Sequence, residues 1–312
     1  MTSVERPDWP RPEFWRPRWM LGRDVQKMIA QLDPHREDAE ITHLSLEVLI
    51  PPAFAHIGYA SAGARLVAVP RVADRVLRGG MGDQVVRPRK RDYDTLTFFS
   101  ELMRRGHRSA AGIEVCDRIQ SIHRSIKGVL NEDQIYTICA LIFQSERFAI
   151  AMGHPFYSEI ENEARLSFWL GVARGMRLRD VPETRRDLLV WMEDYERKYF
   201  EPSPECREAA NAHIRGIEGW FPGPLRPLAR NSVVATMDDH VRDCFGYDPV
   251  APSLLAAMRV SWRSLAATTA IRPVRLDSTW AKSFSRVGPE PDLERIGHGT
   301  YAASASHRSG RA

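Results

Sequence analysis

Apolar residues recur every three or four positions along most of the chain, and alternation with a period of two is almost absent. The pattern therefore predicts helices, with no sheet beyond a stray pair of strands. From about 92 to 105, Leu96, Phe98, Phe99, Leu102 and Met103 point inward, and Gly106 ends the run. From about 111 to 127, Cys116, Ile119, Ile122 and Ile126 fall at helical spacing with His123, whereas Glu114, Asp117, Arg118, Arg124 and Lys127 lie mostly elsewhere round the turn. The next helix, about 132–152, turns Ile135, Ile138, Cys139, Ile142 and Phe143 to one side; Asn131 with Gln134 three residues on resembles a capping box at its start. Further helices are predicted near 22–32, 53–63, 69–78, 157–175, 184–200, 204–217, 230–246 and 251–268. A segment from Asp38 to Leu49 runs into the Pro51-Pro52 break. The reading is an all-α fold: a single domain of roughly ten helices around one core.

Within that plan, residues 1–36 form an arm and first helix packed on the domain, 37–272 form the helical domain, and 273–312 are an extension with an ordered exit and a loose tail. Pro7, Pro10, Pro12 and Pro17 keep the arm extended, and Trp9, Trp15 and Trp19 read as anchors with buried rings.

Composition narrows the function classes. With 43% hydrophobic and 27% charged residues the chain can build a real core, and 44 Lys+Arg against 40 Asp+Glu leaves only +4, which does not imply nucleic acid. No charged leader followed by an apolar stretch opens the chain, and no apolar run reaches membrane-spanning length, so a cytoplasmic protein with no membrane span is expected. Cys116, Cys139, Cys206 and Cys244 are too scattered for a zinc site and read as reduced thiols.

Most constellations that carry chemistry fail on inspection. The Gly79-Gly80, Gly82 group lacks the Gly-Lys-Ser/Thr ending of a phosphate loop, and no Gly-x-Ser-x-Gly occurs. Glu40-Ile-Thr-His43 is a lone Glu-x-x-His where a di-iron bundle needs two. Asp238-Asp239-His240 puts neighbouring side chains on different sides of a helix. His123 is different: an imidazole on an apolar helix face must find a partner, either an acceptor in the core or a metal. Arg91 and Thr95, one turn apart at roughly 6 Å along the axis, can present a guanidinium and a hydroxyl to one object, or can serve as a surface cap and a back-bonded threonine.

Arg91-Asp-Tyr-Asp-Thr95, then Ile119-Gln-Ser-Ile-His123, then Tyr136-Thr-Ile, followed in order by Glu163, Trp169, Gly171, Met176, Pro182 and Trp191-x-x-x-Tyr195-Glu196, resembles the MpaB-like and rubber oxygenase (latex-clearing protein) family from about residue 37 to 272. The resemblance implies a globin-like, haem-binding helical core, with haem b iron held by His123 and Arg91 and Thr95 at the haem pocket. A proximal imidazole on an apolar face suits such a pocket. It further implies an oxygenase using O₂ on an apolar substrate of isoprenoid or polyketide type, with an electron donor as a further partner for some of these chemistries. Two departures stand out. Asp94 occupies the place of a lysine that caps the iron in some rubber oxygenases, which excludes that ligation, and the chain has neither an export leader nor an anchor, which favours a small or medium-sized diffusible substrate over a polymer. The rival reading is a helical binding or scaffold protein that kept the fold and lost haem and catalysis.

Overall fold

The computed structural model of the chain describes residues 19–280. A short strand β1 (Trp19–Leu21) leads into α1 (Gly22–Ile29), then α2 (Asp38–His43), which continues directly into a π-helical turn at Leu44–Val48. There follow α3 (Pro52–Leu66), α4 (Pro70–Leu77), α5 (Asp83–Val86), α6 (Pro88–Arg105), α7 (Ala110–Ser125) and α8 (Asn131–Ala151). The second half holds α9 (Glu159–Gly175), α10 (Arg185–Tyr199), α11 (Pro204–Glu218), α12 (Arg226–Ala235), α13 (Asp239–Phe245), α14 (Pro252–Thr269) and β2 (Pro273–Arg275). The fold is all-α, and the one sheet among the described residues is the antiparallel pair of β1 and β2, with Met20 opposite Val274.

Local chemistry explains the boundaries. Proline opens α3, α4, α6, α11 and α14, where the first turn leaves amide groups unbonded in any case. Ser109, Thr184, Ser203 and Asp238 accept N-cap bonds at α7, α10, α11 and α13. The helix expected from about 92 begins earlier, since Pro88–Arg91 form the first turn of α6. The helix expected over 230–246 is two helices, because Asp238 turns its carboxylate back to the Val241 amide and starts a new one. The capping box lies at Ser158–Glu161 and not at Asn131–Gln134; Asn131 bonds the Arg179 backbone, and Gln134 is used elsewhere.

The main hydrophobic cluster is built from α3, α4 and α6 to α11, with α2 packed on α9, α3 on α8 and α4 on α11. Arg65, 2% exposed, ties this core together: it donates to Glu196 at 2.8 Å and to Asp238 at 2.6 Å, and Glu196 also accepts from Tyr136 and Arg147. A second cluster joins Val25 and Ile29 of α1 to Ile41, Leu44, Val274 and Leu276, so the first helix and the start of the C-terminal extension are both packed. Trp280, which ends the described residues, is buried and donates its amide to Glu47. Trp19 is 68% exposed, contrary to its reading as a buried anchor, and holds the Arg275 guanidinium against its ring face. Trp9 and Trp15 lie outside the described residues.

Candidate active site around His123

α6 and α7 pack side by side, which brings the Arg91–Thr95 turn and His123 into one region. His123 is half-buried near the end of α7, with Cys116 buried and Ile119 and Ile122 packed on the core along the same helix. Its Nδ1 lies 2.8 Å from Oε1 of Gln134 in the first turn of α8. That same oxygen accepts from Gln120 Nε2 at 3.0 Å, and Gln120 Nε2 also donates to the Met176 carbonyl at 2.8 Å. The chain of donors leaves one solution. Gln134 must present its oxygen, so His123 must carry its proton on Nδ1 and keep the lone pair on Nε2. Burial lowers the His123 pKa, the Gln134 bond opposes this, and the positive charges of Arg91 and Arg75 lower it further, so the ring is held neutral.

Arg91 is exposed, yet its charge acts on His123, Tyr59, Asp92 and His213 alike. Thr95 donates its hydroxyl to the Arg91 carbonyl at 3.0 Å, the back-bonded arrangement open to any mid-helix threonine. Its oxygen also meets the Tyr59 hydroxyl, whose pKa burial pushes well up. The Tyr59 ring stands 5.8 Å from His213 and 6.3 Å from Phe99, and Phe99 in turn packs edge-on to Trp169 at 5.1 Å.

Behind this row lie buried groups that carry protons. His213 bonds the Ala60 backbone while its Nε2 meets no partner, and burial brings its pKa down to about 4; the ring fits because Gly63 of α3 has no side chain. Asp92 is 0% exposed, faces Gln84 and Trp220, and is pushed up to about 7 by burial, with the Arg91 charge opposing. A Cβ on Gly216 would lie 2.5 Å from Asp92 Oδ2, so any larger residue there would push the Asp92 carboxylate aside. An open cleft of about 500 Å³ lies between α4 and the end of α7, rimmed by Arg71, Arg75, Arg78 and Lys127 with Asp74 among them.

Residues 46–271 match the family described as "ER-bound oxygenase mpaB/B'/Rubber oxygenase, catalytic domain". The chain belongs to this family. Its curated relatives include "ER-bound oxygenase mpaB'" of Penicillium brevicompactum, 24% identical over 252 residues that make up 74% of this chain and 57% of the relative. Another is "ER-bound oxygenase mpaB" of Penicillium roqueforti (strain FM164), 24% identical over 198 residues, 59% of this chain and 66% of the relative. The aligned part is thus under two thirds of either relative's length.

In this member of the oxygenase family, the motif residues occupy different surroundings. The Arg91 charge reaches His123, and Thr95 lies one turn from Arg91 and bonds its carbonyl, whereas Tyr136, Tyr195 and Glu196 build the frame: Tyr195 stacks on Tyr136 at 4.5 Å and donates to Asp133, and Glu196 receives Arg65. Gly171 makes room for His107, and Met176 supplies the carbonyl that orients Gln120. Asp94 pairs with Lys90 at 2.6 Å. The lone Glu-x-x-His is closed to metal, since His43 spends Nδ1 on Glu47 and Nε2 on the Leu276 carbonyl. Asp238 and Asp239 go to different arginines, Arg65 and Arg242. The four cysteines are buried and unpaired, and no helix among the described residues is long and apolar enough to cross a membrane. Sequence reading missed Gln120, Gln134, Tyr59, Asp92 and His213. Only Gln134 left a local trace, a polar residue in a helix's first turn, and that trace pointed to a cap.

Proposed function

We propose that this member of the family is a haem b-dependent oxygenase in which His123 holds the iron through Nε2. The observation that carries the proposal is the Gln120–Gln134–His123 chain, which fixes a neutral imidazole with the Nε2 lone pair free, as a histidine that would bind haem iron requires. The donor set fits the group: one imidazole on an apolar helix, with Arg91 and Arg75 close enough to lower its pKa and of the right sign to face haem carboxylates. When bound, haem would supply a redox-active iron for O₂ chemistry.

The protein residues supply position and charge. Gln134 sets the azimuth of the His123 ring, and Met176, through Gln120, keeps Gln134 from turning its NH₂ towards it. Arg91 offers a cation to negative charge developing beside it, and Thr95 fixes the Tyr59 hydroxyl, so Arg91 and Thr95 serve the reaction by charge and by placement. The packed row of Tyr59, Phe99 and Trp169 gives the core beside Thr95 an aromatic character that suits a small or medium-sized apolar substrate of isoprenoid or polyketide type. O₂ is the co-substrate, and an electron donor is required only if the product is not a simple dioxygen cleavage.

The test is the absorption spectrum of protein purified from haem-replete cells, with and without reductant and carbon monoxide. A Soret band that shifts with carbon monoxide supports the proposal. Colourless protein that takes up no added haem overturns it in favour of a haem-free binding protein. Cell fractionation checks the expected cytoplasmic location against the ER-bound naming of the relatives.

A further inference from the structure

Arg165, in the second turn of α9, is among the largest side chains wholly removed from solvent, at 0% exposure. Its Nη1 donates to Asn162 Oδ1 at 3.0 Å, and its guanidinium lies 4.2 Å from the centre of the Tyr157 ring. Nε and Nη2, by contrast, meet no acceptor among the described residues. The acid best placed to pair with it is one turn back at Glu161, but that carboxylate is turned to the Ser158 amide and hydroxyl, which its Oε2 accepts as the capping box of α9. One turn forward on the same face, the Trp169 indole N–H is buried and likewise unpartnered.

The pattern of made and unmade bonds is informative. A guanidinium does not give up its proton in a protein, so burial leaves a full charge that is costly unless an anion meets it. Nε and Nη2 are the two donors along one edge of the planar group, the edge that takes both oxygens of a carboxylate in parallel. Asn162 and Tyr157 hold the opposite side and the face, so the free edge is preorganised at little further entropic cost. Tyr157 also joins an apolar wall, with Phe156 at 5.3 Å and Trp262 at 5.0 Å beyond Phe156.

We propose that Arg165 is the recognition residue for a carboxylate borne by an apolar ligand, gripped on Nε and Nη2 within the helical core. The inference goes beyond the oxygenase reading and stands without it. Such a carboxylate has two sources, an apolar acid taken as substrate and a haem propionate, and both are tested.

The probes are laurate and methyl laurate, and haem and haem dimethyl ester, titrated by calorimetry and absorbance into the ligand-free full chain and its Arg165→Met variant. Laurate that binds the parent protein and loses roughly thirtyfold or more in affinity in Arg165→Met, as removing one partner of a buried charged pair implies, with methyl laurate indifferent to the substitution, assigns the site to an acid substrate. The same loss for haem but not for its dimethyl ester assigns it to a propionate. Arg165→Met without ligand should melt close to the parent temperature, because two unpartnered buried donors are replaced by an apolar chain while Glu161 keeps its Ser158 bonds and loses only the attraction of the Arg165 charge. Equal affinities of both proteins for both acids, or a lower melting temperature with unchanged binding, overturns the proposal. If Arg165→Met does not fold, Arg165→Lys decides, since it keeps the charge and loses the parallel donors: it should bind both acids more weakly, and unchanged binding overturns the proposal. Haem that fails to bind either protein while laurate binding depends on Arg165 would remove the haem reading and leave this one intact.

Discussion

His123 Nδ1 and Gln134 Oε1, on consecutive helices and eleven positions apart in the chain, are joined at 2.8 Å by a bond whose direction is set from behind by Gln120. The bond decides which nitrogen of the imidazole is free, so it converts a histidine on an apolar face into an oriented donor.

That relationship predicts a graded pair of variants. His123→Ala should fold and bind little haem, because apolar contacts alone remain. Gln134→Leu should keep the ligand but lose its orientation, lowering haem affinity by about 10- to 100-fold, as the loss of an outer-shell partner does at metal sites. Haem titration followed in the Soret region reads both; equal affinity in parent and His123→Ala would remove His123 from the site.

Asp92 bears on stability in the neutral range. Its folded pKa of about 7 lies above its ordinary 3.8, so between these values the unfolded chain releases a proton that the folded chain retains. Stability is therefore lost as pH rises from about 4 to 7. Asp92→Asn keeps the shape, removes the titration and should raise stability at pH 7.5 by about 2–4 kcal/mol, measured by urea unfolding. A less stable variant would mean that the carboxylate is held charged by partners stronger than Gln84 and Trp220.

The buried histidines act in the opposite sense. His56 and His213 are brought down to about 3 and about 4 by burial, below the ordinary 6.5, so the unfolded chain gains protons first as pH falls. Their contribution is complete above pH 6.5 and is lost on acidification towards pH 4. Urea midpoints at pH 5 and pH 7 should differ less in His213→Gln than in the parent chain, and the difference should grow in Asp92→Asn, where the opposing titration is gone.

Glu196 should prove a stability residue despite its place in the sequence motif. Glu196→Ala leaves Arg65, 2% exposed, with Asp238 as its acidic partner beside the Tyr136 hydroxyl and removes the acceptor of Tyr136 and Arg147. A loss of about 3–5 kcal/mol is expected on chemical denaturation. A loss below about 1 kcal/mol would mean that Asp238 suffices.

The helices were legible in the sequence because their causes are local: apolar spacing along α6, α7 and α8, prolines at helix starts, and Gly106 after α6. The order of Arg91, Thr95, His123 and the later motif residues was enough to indicate the family. Where local signals competed, reading failed: Gln134 stands at capping distance from Asn131 but faces His123, and Asp238 breaks a helix whose apolar period runs straight through it.

Tertiary structure alone decided which polar groups share a site. Asp92 becomes a buried acid where α11, with Gly216 against its carboxylate, closes over it, and His213 is kept neutral by burial against Gly63 and by the Arg91 charge, its Ala60 bond opposing. Arg165 carries no signal in the sequence, and it is the turn of Glu161 to Ser158 together with the burial of α9 that leaves its Nε and Nη2 without an acceptor. Protonation state and partner choice depend on burial and on distances between residues remote in sequence, which a period of 3.6 residues does not encode.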